Sequence, residues 1–151
     1  MLDYDFSNSV NYWTWLASRS FERSLNDELR PHGITWRQCQ VLGWLALEGK
    51  LPQADLADRI GIEPPTMVGI LDRMERDGWI CRLPCPADRR KKLVSPTTAA
   101  EPVWAKIVQC AIRVRERAVA GLSEQEVTDL KRMLNVVQQN LNLPIPAEGV
   151  A

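Results

Sequence analysis

The stretch from Trp79 to Ser95 limits the fold more than any other. Its apolar residues Ile80, Leu83, Leu93 and Val94 follow no helical period, and Pro84 and Pro86 forbid a helix through its middle. Two short strands around a basic turn fit best, giving a β-hairpin with its tip near residues 86–92. On both sides of it the chain is cut by proline and glycine into segments of helical periodicity. The expected class is therefore mainly α with one small β-hairpin.

A first helix is expected over residues 9–29, where Val10, Trp13, Ala17, Phe21, Leu25 and Leu29 keep near-helical spacing before Pro31 and Gly33 stop it. A second covers residues 35–48, with Val41, Leu42, Trp44, Leu45 and Leu47 as its apolar set and Gly49 after it. A short helix over 52–60 buries Leu56, Ala57 and Ile60, and Gly61 breaks it. Pro64-Pro65 then opens a helix reaching Asp77, because a first turn does not need the N–H that proline lacks. Met67, Leu71 and Met74 face inward from it. Beyond the hairpin, Thr98-Ala-Ala-Glu101 and Ser123-Glu-Gln-Glu126 both read as capping boxes opening longer helices. Trp104, Ile107, Ala111, Val114 and Ala118 line the first of these, and Val127, Leu130, Leu134, Val137 and Leu141 the second.

With 151 residues the chain has the length of one domain. No apolar run approaches a membrane span, and the acidic start Met-Leu-Asp-Tyr-Asp is unlike a secretory leader. Four cysteines (Cys39, Cys81, Cys85, Cys110) are too few for a disulfide scaffold, so a cytoplasmic protein with reduced thiols is expected. No serine-hydrolase elbow, zinc-protease helix, P-loop or dinucleotide fingerprint is present. With one histidine, His32 in a Pro-His-Gly turn, neither catalysis nor a cofactor is expected.

Net charge is zero, with 19 basic and 19 acidic residues, so bulk charge cannot make the chain a polyanion binder. Charge is instead concentrated locally. Of the eleven residues 82–92, five are basic (Arg82, Arg89, Arg90, Lys91, Lys92) and one is acidic, Asp88. Short helix, glycine turn, second helix and cationic hairpin, in that order, describe a helix-turn-helix with an appended wing. Such a tip releases counterions from phosphates, and arginine suits a narrow groove of strong negative potential. Asp88, two residues before Arg90, is placed to hold one guanidinium while its neighbour reaches DNA.

The run Ile60-Gly-Ile-Glu-Pro-Pro-Thr-Met-Val-Gly-Ile-Leu-Asp-Arg-Met-Glu-Arg-Asp-Gly-Trp-Ile-Cys-Arg82, followed by Asp88-Arg-Arg90 and Leu93-Val-Ser, resembles the MarR family of transcriptional regulators, nearest its SlyA-like branch. The resemblance extends over residues 11–141. It implies a homodimer with one winged helix-turn-helix per subunit, acting on a pseudo-palindromic double-stranded DNA operator, usually as a repressor. It further implies that Asp88 orients Arg90 into the minor groove, that Arg89 meets phosphate, and that Pro65, Thr66, Gly69 and Arg73 contact DNA from the recognition helix. Residues 35–97 would form the winged region, and 9–34 with 98–142 the helical dimerisation region.

Two departures stand out. SlyA-like relatives often carry arginine where this chain has Gly69, so base reading shifts onto Thr66, Val68 and Arg73. Pro96 stands where leucine is usual and should end the second wing strand early. Arg76 and Lys92 are further candidate DNA contacts, although Arg76 also has Asp72 four residues before it.

Of the six tryptophans, Trp44, Trp79 and Trp104 belong on apolar stripes in the core, and Trp13 and Trp15 suit a dimer interface. The family resemblance implies a pocket for small aromatic acids, for which Arg19, Trp36 and Arg37 are the candidates. Two other readings remain open: a thiol sensor using Cys85, whose basic surroundings would lower its pKa, and a winged helix serving protein interaction without DNA.

Overall fold

The structure, a computed structural model, describes residues 5–86, 88 and 91–141. Helix α1 (Val10–Leu29) starts where Ser9 Oγ accepts the Tyr12 N–H, and a single tight turn, Arg30–His32, follows it. Gly33 takes the left-handed conformation at φ 70°, which a Cβ would penalise, and so turns the chain sharply into α2 (Trp36–Glu48). Thr35 and Gln38 form a reciprocal cap on α2, with the Thr35 N–H reaching Gln38 Oε1 at 2.9 Å. Helices α3 (Gln53–Ile60) and α4 (Pro64–Arg76) follow, joined by a turn on left-handed Gly61. Strands β2 (Ile80–Pro84) and β3 (Lys92–Pro96) form the expected hairpin, and α5 (Glu101–Ala118) and α6 (Glu124–Asn140) close the chain.

The sheet has one strand more than expected. Leu51–Pro52 forms β1, antiparallel to β3 with Leu51 opposite Val94, and the strand order is β1-β3-β2. Pro52 therefore belongs to the strand and α3 begins one residue later. Leu51 and Val94 are both buried, so this short pairing closes the inner edge of the hairpin over the core. β3 also extends to Pro96, opposite Ile80. The proline does not shorten the strand but ends it, at the position where its missing N–H matters least, and the Thr97 N–H bonds the Trp79 carbonyl at 3.0 Å just beyond.

Of the two expected capping boxes, only the second forms. Ser123 and Glu126 exchange both bonds, the Ser123 N–H meeting Glu126 Oε2 at 2.7 Å. At the first, Thr98–Ala100 is a tight turn and α5 starts at Glu101 with no side-chain cap. Pro102 in the first turn sets that start, leaving Glu101 too early in the helix to reach back. The neighbouring Thr97 hydroxyl instead donates to the Gly78 carbonyl, tying the base of the hairpin to the end of α4.

A single core joins Leu29, Val41, Leu45, Leu56, Met67, Leu71, Met74, Ile80, Val94 and Ile107. Trp44, Trp79 and Trp104 lie at its edge rather than inside, half-buried against it; the Arg59 guanidinium stacks over the Trp44 ring at 5.5 Å. α1 and α5 are tied by Glu28, which meets Arg113 Nε at 2.9 Å and Arg117 Nη1 at 3.2 Å. α6 is different in kind, since none of its residues is buried. Among the described residues no helix is long and apolar enough to cross a membrane.

Candidate nucleic-acid interface

Helix α4 is divided cleanly between two faces. Met67, Ile70, Leu71 and Met74, at i, i+3, i+4 and i+7, are buried. Burial of four such side chains contributes about 6–12 kcal/mol as an upper bound, which holds the helix in one rotational setting. On the outer side, Pro65, Thr66, Arg73 and Arg76 are exposed and Gly69 is half-buried. Residues 65, 66, 69, 73 and 76 share one stripe, whereas Val68, 39% exposed, stands on the adjacent stripe with Asp72 and Glu75.

A Cβ built on Gly69 would lie 3.9 Å from Arg73 Nη1, so the Arg73 guanidinium lies over the space the glycine leaves. Arg73 makes no ion pair among the described residues. The expected Asp72–Arg76 pair is not formed: Arg76 Nε lies 3.4 Å from Asp77 Oδ1, and Asp72 is taken by Arg82 at 2.7 Å. The competition is between a 72%-exposed side chain and one only 18% exposed, and the less hydrated guanidinium, already ordered on its strand, wins the carboxylate.

Among the described wing cations, Arg82 turns away from the tip and pairs with α4. Lys91 and Lys92 are both exposed. The tip is closed by backbone bonds from the Lys91 N–H to the Asp88 carbonyl at 2.9 Å and from the Cys85 N–H to the Lys91 carbonyl at 3.1 Å. Asp88 and Cys85 are half-buried; Arg89 and Arg90 lie outside the described residues.

Arg19 on α1 comes together with Trp36 and Arg37 at the start of α2. They line a groove of about 550 Å³ between α1 and the start of α2, shared with Glu22, Arg23 and Thr35. Arg19 Nη1 is 3.4 Å from Glu22, an exposed contact of little worth. Arg37 donates to Gln40 Oε1 at 2.8 Å, which aims its planar group. Three guanidinium groups against one carboxylate make the groove cationic. Arg23 had a readable signal, since it follows Arg19 by four residues on the same helical face.

A buried-faced helix behind a tight glycine turn, followed by a three-stranded sheet whose outer hairpin projects, defines a winged helix. The MarR family model matches residues 34–92, from the entry to α2 through the first residue of β3. Apo MarR from E. coli is similar over 85% of this chain and 96% of its own, at 25% identity and a TM-score of 0.77. A MarR variant from E. coli, crystallised with operator DNA, is similar over 85% and 92%, at 26% identity and TM-score 0.73. A MarR family regulator from a Rhodococcus species shares the fold at 21% identity and TM-score 0.78, over 91% and 95%. Residues 34–92 are thus similar to the MarR family, and the chain as a whole shares the fold of these MarR regulators.

Proposed function

We propose that this protein is a homodimeric repressor of the SlyA-like type, acting in the cytoplasm on a pseudo-palindromic operator and released by a small aromatic acid. One observation carries the reading more than any other. The apolar face of α4 is consumed by the core, and its free face holds Thr66, Gly69 and Arg73 in a stripe beside a cationic hairpin. The E. coli relative crystallised with operator DNA supports the same use here.

In this reading Pro65, Thr66, Val68, Gly69 and Arg73 meet base edges and backbone in the major groove, and Arg76 meets phosphate. Asp88 orients Arg90 toward the minor groove, while Arg89 and Lys92 neutralise phosphates. Residues 9–34 and 98–142 form the dimer body. The support is the apolar surface left open there: Val10, Trp13, Trp15 and Phe21 on α1 are 47–64% exposed, and Leu130, Met133 and Leu134 on α6, with Leu141 just past its end, are 41–66% exposed. Trp13 has its one polar atom satisfied by the Ser7 carbonyl at 2.8 Å, so its ring can be covered without stranding a donor. The cationic groove at Arg19, Trp36 and Arg37 takes the carboxylate and ring of the effector.

The test is a mobility shift with a duplex enriched from a random-sequence pool by the full-length protein. Affinity should fall steeply from low to moderate salt. Arg73→Ala should cost about 1–3 kcal/mol and relax the preference at one base pair, and Arg90→Ala should weaken binding to most sequences. A pool that yields no bound duplex refutes the reading. Arg37→Ala should abolish displacement of the duplex by a hydroxybenzoate while leaving duplex affinity intact.

A further inference from the structure

Arg82 occupies the middle of β2, opposite Val94. Strand alternation puts it on the same face as Ile80, which is buried in the core behind α4. From there its guanidinium meets three acceptors on one side of α4. Nη2 lies 2.7 Å from Asp72 Oδ1 and 3.3 Å from the Val68 carbonyl, and Nη1 lies 2.8 Å from Glu75 Oε2. Glu75 Oε1 also accepts the Arg82 backbone N–H at 3.0 Å. Positions 68, 72 and 75 span two turns of the helix, so a single side chain grips α4 along its length. The Arg82 side chain is 18% exposed and its Nε is buried.

We infer that Arg82 is a positioning residue that locks the wing to the recognition helix, so that the two meet DNA as one rigid unit, and that it makes no DNA contact itself. The inference rests on the DNA-binding reading above. Charge separates the two roles. One guanidinium against two carboxylates leaves the cluster with net charge −1, which repels phosphate. The planar fork of arginine serves several acceptors in fixed directions, whereas an ammonium serves them as a point charge. Asp72 and Glu75 are otherwise out of place beside a polyanion; holding Arg82 gives them a reason to be there.

The test uses the full-length protein and the duplex enriched by the wild type. Asp72→Asn with Glu75→Gln removes two negative charges from the DNA-facing side, which by charge alone would strengthen binding. We expect about tenfold weaker binding instead, the scale of reordering a hairpin when the complex forms. In an Arg82→Met background the same pair of changes should leave affinity unchanged or raise it. Arg82→Lys should behave like Arg82→Met, because charge without the fork does not hold both carboxylates. Stronger or unchanged binding on neutralising the carboxylates in the otherwise wild-type protein overturns the inference, as does wild-type affinity in Arg82→Lys. The carboxylate side chains are 58% and 40% exposed, so these variants keep the fold and decide the matter even if Arg82→Met does not. Failure of the wild type to enrich any duplex strikes the DNA-binding reading itself, an outcome distinct from these.

Discussion

Replacing Leu134 by glutamate should dissociate the proposed dimer without unfolding the subunit. Leu134 is 44% exposed on α6, a helix with no buried residue. Full burial of a leucine is worth about 1.5–3 kcal/mol, so the part still open holds about 1 kcal/mol. A two-fold interface contains the residue twice, which makes about 2 kcal/mol. A glutamate forfeits this and carries an ionised carboxylate into an apolar contact, at several kcal/mol per ion. The sum exceeds about 5 kcal/mol, which raises the dimer dissociation constant more than about a thousandfold. Sedimentation equilibrium at micromolar concentration reads the mass, and circular dichroism checks the helix content. Val68→Glu is the control: Val68 is 39% exposed, a similar figure, but it stands on α4 outside the proposed interface. A Leu134→Glu protein that keeps the dimer mass, or a Val68→Glu protein that loses it, refutes the assignment of the α6 face.

Two further predictions concern stability. Burial, with Cys110 adding to it, pushes the Cys39 thiol from 9.0 up to about 12. The folded state then keeps a proton that the unfolded state gives up, so this contribution is intact below about pH 9 and is lost as the pH rises toward about 12. The difference between wild-type and Cys39→Ala alkaline unfolding curves, followed by tryptophan fluorescence, should therefore shrink over that interval, and a constant difference counts against it. Gly69→Ala should raise stability by about 1 kcal/mol and the melting temperature by ~2–4 °C, since the new Cβ meets only Arg73 Nη1, at 3.9 Å; a lower melting temperature in calorimetry contradicts this.

The helices were legible because their signals are local. Ser123 caps where its sequence says it should, and the apolar spacing of α4 names Met67, Leu71 and Met74, three of the four residues it buries. Thr98 misled because two local rules compete there, and Pro102 sets the helix start against the capping box. β1 had no signal of its own: two residues carry no alternation, and Leu51 becomes a strand residue only because Val94 arrives from 43 positions later. In the site, Thr66, Gly69 and Arg73 were named by the family resemblance, and helical period sets them on one stripe. Arg82 did not, because counting cations treats a run of charge as one surface. Its distance of two from Ile80 was the available clue that it faces inward. Arg19, Trp36 and Arg37 could be named as candidates, but their meeting in one groove depends on the turn at Gly33, which no pattern in either helix contains.

In the proposed regulator, α2 connects the two tasks. Its first residues, Trp36 and Arg37, line the cationic groove, while Leu42 and Leu45 further along lie in the core that seats Met67 and Leu71 of α4. Thirteen helical residues make a rod of about 20 Å. Close-packed cores transmit displacement rather than absorb it, so a shift of the groove end carries α4 and the wing with it. Two half-sites one helical turn apart, about 34 Å, accept one separation of the paired recognition helices. An effector that bound both separations equally would release nothing. Hundredfold release demands a hundredfold preference, about 2.7 kcal/mol. One or two charge-assisted hydrogen bonds made in a single geometry reach that figure, and three guanidinium groups on two different helices are the arrangement that makes such bonds depend on how α1 and α2 are set against each other.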